Sequence, residues 1–198
     1  RQAAIERDRA SEESETARRV TAFTAGLFEL ANPAALGSRN VTARELLDAG
    51  VRRLEAEAAN ERADVRAALF ESAGNAYRGL GEYARSRSLL ERAVALRRSA
   101  DPPMPEALAQ SLQSRAQLAR AEGEFGAAEQ LLREALALLP GTNRRWAANR
   151  RRVALDLGTV LRLQSRLDEA ELLTSGTIEE CRDAKPADRA CIGTGTYM

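Results

Sequence analysis

Catalytic and ligand-gripping chemistry begins with side chains that move protons, bind metals or attack carbonyl groups, and this sequence is poor in them. It contains no histidine, which removes the commonest general base and the commonest metal ligand together. The adjacent carboxylates Glu12-Glu13 and Glu179-Glu180 lie in charged, terminal surroundings with no nucleophile nearby, so they carry no acid/base reading. Cys181 and Cys191 stand ten positions apart, a spacing that fits no zinc or redox motif; a local disulfide and two free thiols both remain open. Gly193-Thr194-Gly195-Thr196 is too short and too terminal for a phosphate loop and reads as part of a tail. What the chain has in abundance is arginine, with Lys185 its only lysine. One arginine register is regular: Arg78, Arg120 and Arg162 recur every 42 positions. Guanidinium groups bind carboxylate or phosphate through paired hydrogen bonds, so this register marks candidate anion contacts. A second cluster, Arg144, Arg145, Arg150, Arg151 and Arg152 around Trp146, reads as solvated arginines beside a tryptophan packed between repeats, rather than as a nucleic-acid grip. The composition predicts no metal, no cofactor and no catalysis.

Positioning elements for these residues are helices. Apolar residues make up 44% of the 198 positions and are mostly Ala and Leu, while aromatics are only 4%, a core composition suited to close-packed helices rather than to sheets. A net charge of +1 gives no field to draw in nucleic acid or a membrane surface, and no run of about eighteen apolar residues is present. Residues 1–31 form a charged leader helix whose apolar end carries Phe23, Leu27, Phe28 and Leu30. That end is expected to cap the stack behind it, with a homodimer seam as the second reading. After Asn32-Pro33 and Gly37-Ser38, Thr42 and Glu45 make a capping box for a helix over 41–58. From residue 61 the chain repeats. Gly81-Glu82-Tyr83 returns as Gly123-Glu124-Phe125 and, worn, as Ser165-Arg166-Leu167, each 42 positions on. Leu89-Leu90-Glu91-Arg92-Ala93-Val94 matches Leu131-Leu132-Arg133-Glu134-Ala135-Leu136, and Gly74 matches Gly158. Each unit reads as helix, tight turn, helix, with Gly74 and Ala93 where two helices cross and Tyr77 and Tyr83 filling the space between them. Pro140 stops the second unit. One such unit cannot bury its own apolar face, so neighbours must stack.

This pattern of Gly74, Tyr77, Gly81, Tyr83, Ala93 and then Gly123, Phe125, Ala128, Ala135, Pro140 resembles the tetratricopeptide repeat in its 42-residue form, similar to that of kinesin light chains. Departures are Ser86 in place of the usual Ala, Arg115 in place of Leu, and Thr174 and Thr177 in the third unit. The resemblance implies an all-α fold: a right-handed α-solenoid of antiparallel helix pairs, behind an N-terminal leader and capping helix. Its units would span about 61–100, 104–140 and 146–182, with a tail at 183–198. It also implies a concave groove, lined by the first helix of each unit, that holds a protein or an extended peptide. The lining positions are Glu71, Asn75 and Arg78, then Gln113, Gln117 and Arg120, then Asp156, Thr159 and Arg162. Of these, Asn75, Arg78, Gln113, Gln117, Arg120 and Arg162 are the candidate peptide contacts, and the arginines favour an acidic or phosphorylated segment. No Lys occurs in any repeat, which argues against the family's carboxylate clamp for chaperone tails.

A narrower resemblance covers the first 100 residues. Glu6-Arg7-Asp8-Arg9-Ala10, Leu27-Phe28-Glu29, Asn32-Pro33 and Val41-Thr42-Ala43-Arg44-Glu45-Leu46-Leu47-Asp48 are similar to the region that follows the membrane helix in bacterial serine/threonine protein kinases ending in such repeats. It implies the non-catalytic sensor or scaffold part of a membrane-anchored kinase, on the extracytoplasmic side, or cytoplasmic without an upstream span. The chain itself holds no kinase motif. Repeats that regulate an attached transcriptional regulator are the alternative. The chain starts at Arg1 rather than Met and reads as a piece of a longer protein.

Overall fold

The computed structural model describes residues 11, 14–22, 25–26, 42–57, 61–101, 103–141 and 146–183, with side chains to residue 179. Phe23, Leu27, Phe28, Leu30, Arg144, Arg145, Cys191 and the 193–196 stretch lie outside the described residues, as does the Cys181 side chain. The leader seam, the disulfide alternative and the tail therefore have no counterpart below. The elements are helices α1 (Ala43–Glu57), α2 (Ala63–Gly79), α3 (Tyr83–Arg98), α4 (Pro105–Ala121), α5 (Phe125–Leu138), α6 (Ala147–Leu163) and α7 (Leu167–Asp183). Residues 14–22 are helical as well, and no strand occurs among the described residues. The fold is all-α, as expected. The chain divides into two compact units, Arg1–Ala100 and Asp101–Met198.

In the first unit, the start of α1 is fixed by the capping box. The Glu45 backbone N–H donates to Thr42 Oγ1 at 3.2 Å, and the Thr42 N–H donates to Glu45 Oε2 at 2.9 Å. Helices α2 and α3 then form a hairpin whose turn depends on Gly81 at φ +75°. With the chain in the left-handed region there, the Gly81 N–H reaches the Arg78 carbonyl (3.0 Å) and the Glu82 N–H reaches that of Tyr77 (2.9 Å). This pair of bonds satisfies two carbonyls that the helix end would leave open. Close approach of the two helices rests on Gly74, where a Cβ would lie 2.8 Å from Leu90 Cγ and 3.3 Å from the Ser86 carbonyl. The core gathers Leu47 and Leu54 of α1 with Val65, Leu69, Phe70, Ala73 and Tyr77 of α2 and Leu89 and Ala93 of α3, and Val20 packs against it. Tyr83 departs from expectation. It stands first in α3 and is 37% exposed, so Tyr77 alone of the two tyrosines fills the interior.

The second unit holds two hairpins, α4 with α5 and α6 with α7, and α6 packs on both α4 and α5. The turns repeat the same device. Gly123 (φ +80°) donates to the Arg120 carbonyl and Glu124 to that of Ala119; Ser165 (φ +63°) donates to Arg162 and Arg166 to Leu161. Leu112, Leu118, Leu132, Leu139, Val153 and Val160 are fully buried. Helix α5 ends at Leu138, two residues before Pro140. Gly158 admits the Thr174 methyl group in the space its own Cβ would need. The hydroxyls of Thr174 and Thr177 bond back to the carbonyls of Ala170 and Leu173, each at 2.7 Å, so these polar departures from the repeat pattern are satisfied inside α7. Arg151, grouped by sequence with solvated arginines, is 8% exposed and part of the packed face of α6.

Candidate functional site: the first-helix face

Arg78, Arg120 and Arg162 occupy one station in three helices, the last turn of α2, α4 and α6. Each carbonyl there accepts the bond from the residue in the left-handed turn. A cation at a helix C-terminus also meets the negative end of the helix dipole, which favours Arg at this station with or without a ligand. Arg120 and Arg162 are exposed, whereas Arg78 is half-buried.

Between the arginines, the polar residues of the second unit are bound to one another. Gln113 is 3% exposed, and its Nε2 donates to Asp156 Oδ2 at 2.6 Å while its Oε1 accepts from Arg152 Nε at 3.1 Å. Gln117 Nε2 donates to the same Asp156 oxygen at 3.0 Å. Asn149 Nδ2 donates to Glu106 Oε1 at 2.5 Å, closing the seam at its other end. Gln113 is therefore a buried relay joining α4 to α6 rather than an open groove contact. Thr159 turns its hydroxyl back to the Leu155 carbonyl at 3.0 Å. The face thus brings Gln113, Gln117 and Asp156 into one network and leaves Arg120 and Arg162 as exposed cations at the same end of neighbouring helices. In the first unit, Glu71 is buried and ion-paired with Arg97, both side chains at 7% exposure or less, so Glu71 belongs to the packing of α2 on α3. Asn75 and Arg78 are half-buried on α2.

The second helices carry ion pairs that the sequence reading missed. Arg166 donates to Glu129 at 2.6 Å and to Glu169 at 2.6 Å, and Arg133 closes on Glu129 at 2.5 Å. Burial raises the Glu129 carboxyl, but hydrogen bonds from Arg166 and Gln164 outweigh it and hold the group below the usual range. Glu169 is lowered by its bond from Arg166, whose own pKa is raised in return. In the first unit Asp48 accepts from Arg85 and from the Tyr77 hydroxyl, the latter at 2.5 Å. These bonds hold the Asp48 carboxyl below its ordinary value. Burial first, and the bond to Asp48 second, push the Tyr77 phenol up to about 12. Such groups are fixed in charge near neutrality. They can bind and orient, and none is poised to exchange a proton there.

Residues 66–100 match the tetratricopeptide repeat family model. No curated protein matches the sequence. Two crystal structures of a Podosopora anserina putative kinesin light chain with nearly identical TPR-like repeats are similar to this chain. The first is 20% identical with a TM-score of 0.60, and a singly substituted form of the same protein is 19% identical with a TM-score of 0.62; each alignment covers 95% of this chain and 83% of that one. At these identities the likeness speaks to fold. The chain has the fold of tetratricopeptide-like repeats, and residues 66–100 carry that family's sequence signature.

Proposed function

We propose that this chain is a protein-holding module. In this reading the first-helix face of the second unit takes an acidic or phosphorylated segment of another protein. The observation that carries it is the pair Arg120 and Arg162: exposed, at matching stations of α4 and α6, beside a polar seam whose own hydrogen bonds are already made. A seam organised before binding leaves the arginines as the variable contacts, and two guanidinium groups together select a carboxylate-rich or phosphorylated ligand. Arg78 supplies the matching station in the first unit. The test is fluorescence anisotropy with an array of acidic and phosphorylated peptides, their neutral analogues serving as controls. Replacing Arg120 and Arg162 by Glu should lower affinity for the best binder by at least about a hundredfold, since each charge-assisted contact contributes about 1.5–3 kcal/mol. Helical content should stay unchanged. Equal affinity in wild type and variant contradicts the reading.

The parent protein we read as a bacterial serine/threonine kinase, with this chain as its non-catalytic sensor or scaffold on the extracytoplasmic side of the membrane. The charged leader and the Val41–Asp48 stretch support this by resemblance. No helix among the described residues is long and apolar enough to cross a membrane, so the anchor in this reading lies elsewhere in the parent chain. Sequencing the gene upstream of Arg1 tests it: a kinase domain followed by an apolar span is expected, and a DNA-binding domain there would replace this reading with the regulator alternative.

A further inference from the structure

Helix α1 is held on the first repeat by two tiers of the same construction, seven residues apart on every helix involved. In one tier Leu47 is buried beside Asp48, Asp48 accepts from Arg85, and the Arg85 guanidinium lies 5.6 Å from the centre of the Tyr77 ring. In the other, Leu54 is buried beside Glu55, Glu55 accepts from Arg92 at 2.5 Å, and the Arg92 guanidinium lies 4.0 Å from the centre of the Phe70 ring. A seven-residue step returns a helical side chain to nearly the same face two turns on, so both tiers face one way. The receiving half, Tyr77 and Phe70 beneath Arg85 and Arg92, belongs wholly to α2 and α3. Ring and guanidinium attract each other whether or not a carboxylate arrives, so that half is organised by the hairpin itself.

The seated half is held less firmly. The Arg92–Glu55 pair is more than 40% exposed on both sides, and exposed pairs contribute little to stability. A cleft of about 280 Å³ remains beside α1, lined by Asp48, Val51, Glu55, Arg85, Leu89 and Arg92. A helix seated on two buried leucines, with an open cleft beside it and one of its two ion pairs exposed, sits lower among a protein's local stabilities than the hairpin it rests on.

We infer that the face under α1 is an exchangeable docking site for an amphipathic helix bearing two leucine–acid pairs seven residues apart, with α1 as its built-in occupant. A partner helix of that chemistry competes with α1 for Arg85 and Arg92. The site is independent of the first-helix face, and either reading can fail without the other.

The test uses the full chain and a fluorescent peptide of sequence 42–57. The wild-type chain should bind it weakly, because α1 competes at high effective concentration. Asp48→Arg with Glu55→Arg should tighten binding by about tenfold or more, as the competent fraction rises. Adding Arg85→Glu and Arg92→Glu reseats α1 through the swapped pairs and should abolish peptide binding. If Asp48→Arg with Glu55→Arg loses helicity, Asp48→Asn with Glu55→Gln takes its place, read by hydrogen exchange. Amides of α1 should then exchange faster while those of α2 and α3 keep wild-type rates. Unchanged peptide affinity after the α1 substitutions, binding that survives loss of both arginines, or exchange that quickens equally in all three helices would each overturn the inference.

Discussion

Ser165 is the residue at which the third copy of the turn departs most from the other two. Gly81 and Gly123 take φ of +75° and +80° without strain, whereas Ser165 holds φ +63° with a Cβ that crowds the following carbonyl. Ser165→Gly should therefore stabilise the chain by about 0.5–1 kcal/mol, and Gly81→Ser should destabilise it by a similar amount, both read from urea midpoints. Gly74 is a case of space rather than backbone freedom. Leu90, the side chain that an added Cβ would strike, is itself fully buried and has nowhere to retreat. Gly74→Ala should cost about 1–3 kcal/mol. Gly79→Ala, where the new Cβ meets nothing within 4 Å, serves as the unclashing control in the same melts and should stabilise by about 0.4–1 kcal/mol. Glu71 tests a third mechanism. Its truncation to Ala takes the carboxylate away from the buried Arg97 guanidinium, and should destabilise by about 3 kcal/mol.

Between elements, the distinctive bonds are polar and fall off the repeat period. The second-helix ion pairs Asp48–Arg85, Glu55–Arg92 and Glu129–Arg166 all join positions 37 apart, while the α4–α6 seam joins positions 39 and 43 apart. Helix packing sets these offsets, and a scan at period 42 aligns equivalent residues rather than touching ones. The period revealed the glycine turns and the small residues at crossings, because those recur with the unit. It gave no sign that Gln113 is buried by its neighbour or that Asp48 finds Arg85. The evenly spaced Leu47-Asp48 and Leu54-Glu55 were the legible trace of the latter. The seam makes Asp156→Ala a test of coupling: it leaves the buried Gln113 amide without its acceptor, and should cost about 1–3 kcal/mol. At the α1 junction pH supplies the probe. Asp48 is lowered on folding, so its contribution is present above the unfolded value of 3.8 and is lost as acid carries the pH down through the folded value. Tyr77 is raised, so its contribution is present below 10.0 and is lost as alkali carries the pH up through about 12. Stability read from urea midpoints should fall at both ends of that range, and Asp48→Asn should reduce the acid limb.

At the scale of the whole molecule, the sequence made the helix-pair architecture legible because each unit repeats the same physical solution: a left-handed turn, a small residue at the crossing, leucines on one face. The partner is less legible. Arg78, Arg120 and Arg162 share a station that the helix dipole favours on its own, so their register reports a structural preference as well as a candidate contact. Of the three, Arg120 and Arg162 are exposed, as the proposed contact requires. The most direct measurement is residue-resolved chemical-shift mapping of the full chain during titration with the tightest acidic or phosphorylated peptide. The shifts should cluster on the last two turns of α4 and α6, around Gln117, Arg120, Thr159 and Arg162, and disappear when both arginines are Glu. Shifts confined to the second helices α5 and α7, or a pattern that survives the double replacement, would contradict the assignment of the first-helix face as the holding surface.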